Sequence, residues 1–275
     1  MTYSFALIGY PITHSMSPWI HEQFLRRAQL DGSYRLEEIT PEQNFSERIS
    51  ELRANELDGF NVTVPYKEKI IEFVDELDEQ AKKIGAVNTV VAENGKWIGY
   101  NTDGIGYVRA LESDYPEIKR KKNTPILLLG AGGAAKGIYN GLKRAGYTNV
   151  TIANRTTERA KQIITANDFV ITLAEAEREL AQFSIIIQTT SVGMRPHDTD
   201  TIISLKNIMK EAIVSDIVYQ PLKTKFLQEA EKRGAAIHFG HTMLLYQAQY
   251  AFELWTNKQP PMEHLADQLR QELEG

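Results

Sequence analysis

A glycine-rich turn at residues 130–135 constrains the fold of this chain more than any other segment. The turn follows a wholly apolar run at residues 125–129 and opens a helical pattern. A dinucleotide-binding turn requires this context, because small residues let the backbone approach a pyrophosphate and the helix N-terminus then binds it. Gly130, Gly132 and Ala135 fill the three small positions. A plain tight strand-to-helix turn is the alternative explanation.

The end of the next expected strand bears on which dinucleotide would bind. NAD binding favours a carboxylate there, but the chain has Asn154-Arg155-Thr156, with Arg159 one turn further on. Arginines and a hydroxyl suit the 2′-phosphate of NADP, so the sequence favours NADP as cofactor. The alternative is a solvated helix start that is capped by Thr156 or Thr157.

Short apolar runs alternate with amphipathic stretches along the chain, and this alternation predicts an α/β fold. The expected strands are residues 5–8, 34–39, 59–64, 87–92, 96–100, 125–129, 149–153, 184–188 and 213–218. The expected helices are 18–29, 45–53 and 242–257, with helical segments across 68–83 and another helix from Thr157. Asn94-Gly95 predicts a hairpin, and therefore a mixed first sheet. The continuous apolar strands after residue 125 predict a parallel sheet that helices cover.

A length of 275 residues favours two domains, and a polar, lysine-rich segment at 115–124 marks one candidate boundary. We expect residues 1–104 and 240–275 to form an N-terminal mixed-sheet domain that binds substrate and carries catalysis. Residues 105–239 would form a Rossmann-type NADP domain. The C-terminal helix is apolar nearly all round, so we expect it to be buried by returning to the first domain.

Composition narrows the classes of partner and chemistry. The net charge of -5 disfavours nucleic acid or an anionic membrane as the main partner, which leaves a small-molecule substrate. The chain has no cysteine, and its six histidines show no zinc-ligand spacing, so we expect neither thiolate chemistry nor a metal. Without a basic leader or an 18-residue apolar run, the cytoplasm is the expected location. Monomer and homodimer are both compatible with the sequence.

Polar residues before the first expected helix form the first candidate for a substrate site. Ser17 as N-cap, with Pro18 at the first helical position, would explain that serine structurally. The same explanation does not cover Ser15. Alternatively, both hydroxyls could bind a carboxylate at the helix N-terminus.

A second polar group surrounds a lysine that lies just past a strand-ending proline. Asn61 and Thr63 share one face of their expected strand, Lys67 follows Pro65, and Asn88, Asn101 and Asp103 add further polar groups. Alone, Lys67 is a surface lysine and Asp103 is a helix cap. Together, a lysine and an aspartate at one cleft could move a proton.

The ordered set of motifs resembles the shikimate dehydrogenase family. The matching segments are Ser15 with Ser17, residues 61–65 with Lys67, 85–89, 101–104, 130–134, 154–156 and 240–247, which span nearly the whole chain. The resemblance implies an NADP-dependent alcohol dehydrogenase, an oxidoreductase that reversibly reduces 3-dehydroshikimate to shikimate in chorismate and aromatic amino acid biosynthesis. One departure is Gln188, where the family usually has asparagine.

The resemblance also implies roles for individual residues. Lys67 and Asp103 match the catalytic pair and also line the substrate site. The other substrate-site matches are Ser15, Ser17, Asn61, Thr63, Asn88, Tyr219 and Gln247. The cofactor-site matches are Gly130, Ala131, Gly132, Gly133, Ala134, Asn154, Arg155, Thr156, Arg159, Ile217, Gly240 and Glu79. Two other functions stay open: a quinate or shikimate dehydrogenase of broader specificity that uses NAD, and a non-catalytic nucleotide-sensing module on the same scaffold.

Overall fold

The computed structural model describes residues 2–165 and 167–275. The chain forms two compact units. The first unit is Met1–Thr102 with Gln247–Glu263, and the second is Asp103–Tyr246 with His264–Gly275. This division lies within two residues of the expected boundary at 104. It differs from the expected one at the C-terminus, where His264–Gly275 clusters with the second unit.

The first unit contains a mixed six-stranded sheet, as the hairpin signal predicts. Its strands are β1 (Tyr3–Gly9), β2 (Gly32–Glu38), β3 (Gly59–Val62), β4 (Glu76–Leu77), β5 (Thr89–Glu93) and β6 (Lys96–Tyr100), and its helices are α1 (Ser17–Arg27), α2 (Phe45–Ala54) and α3 (Glu79–Ile84). The strand order is β2-β1-β3-β5-β6-β4. β5 pairs antiparallel with both β3 and β6, whereas the β1 pairings are parallel. Asn94 and Gly95 have φ of 51° and 77°, as the turn between β5 and β6 requires.

One sequence prediction is wrong in the first unit, and another is confirmed only in part. β3 ends at Val62, so Thr63 lies beyond the strand rather than within it. Of the helical segments expected across 68–83, the structure has a 3₁₀ turn, Lys69–Phe73, and α3, but the short strand β4 separates them. Local capping explains α3, since the Asp78 side chain accepts from the Gln80 amide at 2.8 Å and Gly85 ends the helix at φ 69°.

The second unit contains an all-parallel six-stranded sheet. Its strands are β7 (Ile126–Leu129), β8 (Val150–Ala153), β9 (Phe169–Ile171), β10 (Ile185–Gln188), β11 (Ile213–Asp216) and β12 (Ala236–His238). Its helices are α4 (Asp103–Asp114), α5 (Gly133–Arg144), α6 (Thr157–Lys161), α7 (Leu173–Glu179), α8 (Lys225–Lys232) and α10 (Leu265–Glu274). The order β12-β11-β10-β7-β8-β9 is that of a dinucleotide-binding Rossmann fold, with β7 as the first strand. The expected parallel sheet is confirmed.

Apolar side chains fill both faces of this parallel sheet, as the continuous apolar strands predict. Leu128 and Ile187 face one core cluster, whereas Leu127 and Ile186 face the other, and all four are fully buried. The alternation of neighbouring residues between two cores follows from the two-residue period of a strand. The sheet is therefore a rigid base for the loops at its carboxyl edge.

A long helix, α9 (Gly240–Thr256), corresponds to the expected helix at 242–257. Its residues up to Tyr246 belong to the second unit, and those from Gln247 belong to the first. In the first unit Phe252 is fully buried, and the Trp255 indole donates to the Val90 carbonyl at 2.9 Å. The expected return of this helix to the first domain is therefore confirmed for its C-terminal part. Across residues 2–165 and 167–275, no helix has both the length and the apolar character needed to cross a membrane.

The backbones of α4 and α5 approach closely in the second unit. A Cβ added at Gly104 would lie 2.1 Å from the Gly137 carbonyl oxygen, and one added at Gly141 would lie 2.4 Å from the Gly104 carbonyl oxygen. Only glycine fits such a contact. The start of α4 is thereby fixed against α5, the helix that the glycine-rich turn opens.

Candidate active site

The paired serines lie together at the start of α1. The Ser15 hydroxyl donates to Ser17 Oγ at 3.1 Å, and the Ser17 amide donates to Ser15 Oγ at 3.2 Å. Ser17 is the first helical residue, whereas Met16 occupies the N-cap position without a side-chain capping bond. The interpretation of Ser17 as N-cap is therefore wrong, and helix capping does not explain its hydroxyl.

A buried tyrosine, which the sequence did not single out, links the serines to Asn61. The Tyr34 hydroxyl donates to Asn61 Oδ1 at 2.8 Å. Burial raises the pKa of Tyr34 above its ordinary value, and a hydrogen bond with Ser17 opposes that shift. Tyr34 is the first buried residue of β2, and the residues that follow it in this strand are half-buried. An aromatic residue with a polar hydroxyl at this position is the sequence signal that could have identified it.

Asn61 connects onward to a cluster of amides and hydroxyls in the same unit. Its Nδ2 donates to the Asn88 carbonyl at 3.2 Å and to Thr89 Oγ1 at 3.1 Å. Asn88 Nδ2 donates to Thr102 Oγ1 at 2.9 Å and reaches Gln247 Oε1 at 3.5 Å. The structure therefore links five of the residues proposed for the substrate site, Ser15, Ser17, Asn61, Asn88 and Gln247, and adds Tyr34, Thr89 and Thr102.

Thr63 and Lys67 lie just beyond the carboxyl end of β3. The Thr63 amide donates to the Ile8 carbonyl at 2.9 Å, and the Val87 amide donates to the Lys67 carbonyl at 2.8 Å, so both backbones are anchored. Both side chains are half-buried rather than solvated on an open surface. In the second unit, Asp103 is the first residue of α4 and is also half-buried.

The glycine-rich turn has the geometry that the sequence predicts. Gly130 has φ of 116°, and a Cβ there would lie 2.6 Å from Thr190 Cγ2. At Gly132 and Gly133 an added Cβ would meet nothing within 4 Å among the described residues. α5 begins at Gly133, after Ala131 and before Ala134, without a side-chain capping bond, which leaves its first-turn amides without a capping side chain. This arrangement fits a pyrophosphate.

The residues after β8 also fit the predicted phosphate site. Arg155 and Arg159 are exposed, and Asn154 Nδ2 donates to the Thr156 carbonyl at 2.8 Å. Thr156 occupies the N-cap position of α6, but its hydroxyl makes no capping bond. The alternative that Thr156 serves as a side-chain cap is therefore not supported.

Ile217 and Gly240 approach each other at the carboxyl edge of the parallel sheet, and Tyr219 lies two residues after Ile217 in the chain. A Cβ at Gly240 would lie 2.4 Å from the Ile217 carbonyl oxygen, so α9 begins directly against the backbone that follows β11. Tyr219 is half-buried, and burial raises the pKa of its hydroxyl. Glu79, in contrast, is an exposed residue of the first unit.

Gln188, the departure from the family pattern, lies at the centre of a buried network in the second unit. Its Nε2 donates to Asp216 Oδ1 at 3.1 Å and to the Val192 carbonyl at 3.0 Å, and its Oε1 accepts from the Thr190 hydroxyl at 2.7 Å. Asp216 Oδ2 also accepts from the Thr224 hydroxyl at 2.7 Å. Burial raises the pKa of Asp216 to about 6, although these bonds oppose the shift. The longer amide thereby fixes the loop after β10.

A Ser-His-Asp arrangement elsewhere in the second unit is not a hydrolytic site. His238 Nδ1 lies 2.8 Å from the Ser215 hydroxyl, and its Nε2 lies 3.7 Å from Asp114. Ser215 is fully buried, so a substrate cannot reach it. Among residues 2–165 and 167–275, no group of three or more histidines or carboxylates is arranged to hold a metal ion.

Three family models match successive parts of the chain. The model described as "Shikimate dehydrogenase substrate binding domain" matches residues 7–90, and that described as "Shikimate / quinate 5-dehydrogenase" matches residues 114–218. The model described as "Shikimate 5'-dehydrogenase C-terminal domain" matches residues 240–270.

Individual relatives agree with these matches. A shikimate dehydrogenase (NADP(+)) from Oceanobacillus iheyensis is 54% identical and is covered over 100% of both chains. A solved shikimate 5-dehydrogenase from Thermus thermophilus, in complex with NADP(H) and shikimate, is 32% identical with a TM-score of 0.86 and coverage of 98% and 99%. A solved quinate dehydrogenase from Corynebacterium glutamicum, in complex with NAD, is 26% identical with a TM-score of 0.87 and coverage of 98% of both chains. The chain belongs to the shikimate dehydrogenase family.

Proposed function

We propose that this chain reversibly reduces 3-dehydroshikimate to shikimate with NADPH, as an oxidoreductase of aromatic amino acid biosynthesis. The observation that carries the proposal is the linked cluster of serine hydroxyls and amides in the first unit. Such a cluster suits a small polyol that bears one carboxylate. The first unit would bind this substrate, and the second, with its Rossmann strand order, would bind NADP.

The substrate carboxylate would be held by Ser15 and Ser17, whose hydroxyls lie 3.1 Å apart. This spacing lets one hydroxyl donate to each carboxylate oxygen without an arginine. The ring hydroxyls would form hydrogen bonds with the remaining polar residues of the site, Asn61, Thr63, Asn88 and Gln247. A substrate that lacks a hydroxyl would leave these groups unpaired, at a cost of roughly 1–3 kcal/mol each.

Lys67 would donate the proton to the oxygen that becomes the alcohol, and would accept it in the reverse direction. When bound, the nicotinamide supplies or accepts the hydride. Asp103 would orient the Lys67 ammonium and one ring hydroxyl. The anchored backbone of Lys67 favours this role, because a proton donor must be held within hydrogen-bond reach of its acceptor.

The NADP site would follow the carboxyl edge of the parallel sheet. The turn at Gly130, Ala131, Gly132, Gly133 and Ala134 would hold the pyrophosphate, and Asn154, Arg155, Thr156 and Arg159 would hold the 2′-phosphate. Ile217, Gly240 and Tyr219 would lie at the nicotinamide. Glu79 stays a predicted cofactor contact without further support.

An absorbance assay for the reduced nicotinamide tests the function directly. We expect turnover of shikimate with NADP, and much slower turnover when quinate replaces shikimate or NAD replaces NADP. Absence of turnover with every combination would contradict the proposal and would favour the nucleotide-sensing module.

A second candidate function is a quinate or shikimate dehydrogenase that uses NAD. The similarity to the Corynebacterium glutamicum quinate dehydrogenase with NAD favours it. The absence of a carboxylate at Asn154-Arg155-Thr156 argues against NAD. A higher kcat/KM with quinate and NAD in the same assay would favour the second candidate. Location in the cytoplasm, and a monomeric or homodimeric state, stay predictions.

A further inference from the structure

The Asp216 carboxylate, at the carboxyl end of β11, is fully buried and accepts three hydrogen bonds. Its Oδ1 accepts from Gln188 Nε2 at 3.1 Å and from the Val218 amide at 3.0 Å, and its Oδ2 accepts from the Thr224 hydroxyl at 2.7 Å. These donors belong to the end of β10, the loop after β11 and the N-cap of α8. One side chain therefore joins three segments of the second unit.

The directions of these hydrogen bonds follow from the neighbouring groups. Gln188 Nε2 also lies 3.1 Å from the Thr190 carbonyl and 3.0 Å from the Val192 carbonyl, which can only accept, so this end of the amide must be the nitrogen. Thr224 Oγ1 already accepts from an amide in the first turn of α8 at 3.3 Å, and its own hydrogen is directed to Asp216. Both oxygens of Asp216 therefore act as acceptors.

The loop after β10 packs directly against the glycine-rich turn. A Cβ added at Gly130 would lie 2.6 Å from Thr190 Cγ2 and 2.8 Å from Thr189 Oγ1. The Thr189 hydroxyl donates to the last carbonyl of β7 at 2.8 Å, and the Thr190 hydroxyl donates to Gln188 Oε1 at 2.7 Å. The Gln188 amide thus contacts Asp216 through its nitrogen and Thr190 through its oxygen, which fixes Thr190 beside the turn.

The loop after β11 lies against the start of α9. A Cβ added at Gly240 would lie 2.4 Å from the Ile217 carbonyl oxygen and 2.8 Å from the Val218 carbonyl oxygen. The Val218 amide donates to Asp216, and the Ile217 amide donates to the Gln188 carbonyl at 3.1 Å. Asp216 therefore also holds the backbone that contacts α9.

We propose that Asp216 is a positioning residue of the cofactor site, because it holds Thr190 against the glycine-rich turn and the loop after β11 against α9. This inference rests on the NADP site proposed above, and it adds a fully buried residue that acts through other segments. Binding of the pyrophosphate and of the nicotinamide would depend on Asp216. Binding of the 2′-phosphate after β8 would not, because among the described residues no hydrogen bond of Asp216 or Gln188 reaches residues 154–159.

The energetics of Asp216 favour this role over a purely stabilising one. Burial raises the pKa of Asp216 to about 6, although the three hydrogen bonds oppose the shift. The bonds therefore do not fully offset the cost of burying the charge, and an apolar residue of similar size would fill the same space without that cost. Ionisable groups with shifted pKa values are enriched at functional sites, where they set the local geometry.

The first test compares two substitutions by titration calorimetry with NADPH and with adenosine 2′-phosphate, which lacks the pyrophosphate and the nicotinamide. Asp216→Asn keeps an acceptor for Gln188 and Val218, and its amide nitrogen can donate to Thr224 Oγ1. Asp216→Leu has a similar size but accepts nothing. We expect Asp216→Leu to raise Kd for NADPH about tenfold or more, and Asp216→Asn to raise it no more than about threefold. Kd for adenosine 2′-phosphate should stay unchanged in both variants.

Three outcomes of this comparison would overturn the positioning role. The first is an unchanged Kd for NADPH in Asp216→Leu. The second is an equal loss of NADPH affinity in Asp216→Asn and Asp216→Leu, since only the asparagine keeps the acceptor. The third is an equal loss of affinity for NADPH and for adenosine 2′-phosphate, which would indicate a general disturbance of the second unit.

The second test does not depend on whether Asp216→Leu folds. Thr224→Val removes one donor to Asp216 together with the N-cap oxygen of α8. Thr256→Val is the matched control in the first unit, because the buried Thr256 hydroxyl likewise donates at 2.7 Å, to the Phe252 carbonyl, and accepts from the Lys258 amide at 3.2 Å. We expect Thr224→Val to raise Kd for NADPH about two- to fivefold and Thr256→Val to leave it unchanged. Equal values for the two variants would overturn the inference.

Failure of the proposed function would be visible separately. A wild type that binds NADPH but does not turn over shikimate would contradict that function, and the calorimetric comparison would still test the role of Asp216. A wild type that does not bind NADPH would overturn the inference itself.

Discussion

At the scale of single residues, Lys67 has the most specific of the proposed chemical roles. Its backbone is anchored at the carboxyl end of β3, where the Val87 amide donates to its carbonyl at 2.8 Å. We expect Lys67→Met to lower kcat by on the order of 10²-fold or more, because a general acid or base contributes about this factor. KM for shikimate should change little, since the proposed role lies in the transition state.

A matched control for Lys67 lies in the same unit. Lys82 is an exposed lysine in the last turn of α3, and Lys82→Met removes the same charge away from the polar cluster. Its kcat should equal that of the wild type. A Lys67→Met variant with near-normal kcat would contradict the proton-transfer role.

At the residue scale, Arg155 is the residue that we propose sets the preference for NADP. Its exposed guanidinium follows β8, where NAD-binding folds favour a carboxylate. We expect Arg155→Ala to raise Kd for NADPH about 10- to 100-fold, which is the range for losing a charge-assisted hydrogen bond to phosphate. Kd for NADH should change far less. Arg178→Ala, at an exposed position on α7, is the control, and equal losses for both cofactors would contradict a phosphate contact.

Residue-level prediction worked where a motif has a fixed local geometry and was incomplete elsewhere. The small residues of the glycine-rich turn could be assigned because a positive φ at Gly130 and open space at Gly132 are local properties. Tyr34 was missed because its partner Asn61 lies on another strand. The spacing of residues in the sequence does not show which residues of two separate strands will be neighbours. The N-cap interpretation of Ser17 was wrong because Ser15 and Tyr34 engage its hydroxyl.

At the scale of elements, the contact between α4 and α5 sets where Asp103 lies relative to the glycine-rich turn. In an ordinary helix Gly→Ala is stabilising by about 0.5–1 kcal/mol. At Gly141 the new methyl would lie 2.4 Å from the Gly104 carbonyl oxygen, so the two helices would have to separate. We expect Gly141→Ala to lower the free energy of unfolding by about 1–3 kcal/mol instead.

Thermal unfolding of Gly141→Ala measures this cost, and kcat at saturating substrates shows whether Asp103 has shifted with α4. We expect both Tm and kcat to decrease, because small misplacements of a catalytic group are costly. Arg144→Ala, at an exposed position on the same helix, should change neither. A Gly141→Ala variant as stable as the wild type would show that α4 is not held by this contact.

Element prediction succeeded for strands that are apolar throughout and failed where tertiary contacts override local pattern. β7 and β10 were placed within one residue, because four consecutive buried residues are typical of a parallel strand. The pattern at 68–83 predicts helical segments, and it does not predict the strand β4 that separates them. Asp75 explains the break, since its carboxylate accepts from the Trp97 amide at 2.7 Å and from Arg53 at 2.6 Å, which fixes β4 beside β6.

At the scale of the whole molecule, buried ionisable groups set how stability depends on pH. Burial lowers the pKa of His21 and of His238 to about 3, and that of His241 to about 4. In the unfolded chain a histidine has a pKa of about 6.5, so as pH falls below that value the unfolded state takes up protons that the folded state does not. The contribution of these neutral rings to the free energy of unfolding is therefore fully present above about pH 6.5, and it is lost progressively as the pH falls toward the folded-state values of about 4 and 3.

Two carboxyls act in the opposite sense. Burial raises the pKa of Asp216 to about 6, and partial burial together with the nearby Asp267 carboxylate raises that of Asp114, whose side chain is still 40% exposed, so the folded state holds protons on these groups between about pH 4 and about pH 6. At about pH 6 the three histidines outweigh the two carboxyls, and unfolding should take up roughly one to two protons net. The free energy of unfolding should accordingly decrease between about pH 7 and about pH 5.5.

The variant His21→Phe isolates one contribution to this pH dependence. Phenylalanine keeps the aromatic stack on Tyr34, where the centroids are 4.3 Å apart, and removes the titrating ring. Neither His21 nitrogen has a partner at good hydrogen-bond geometry within the described chain, and the nearby Asn61 side chain opposes only part of the shift, so the replacement removes at most one weak contact. Urea unfolding at several pH values should give a slope smaller by up to about one proton than that of the wild type, with stability above about pH 7 nearly unchanged. An unchanged slope would mean that His21 binds a proton equally in the folded and unfolded chains, and would remove burial as the cause.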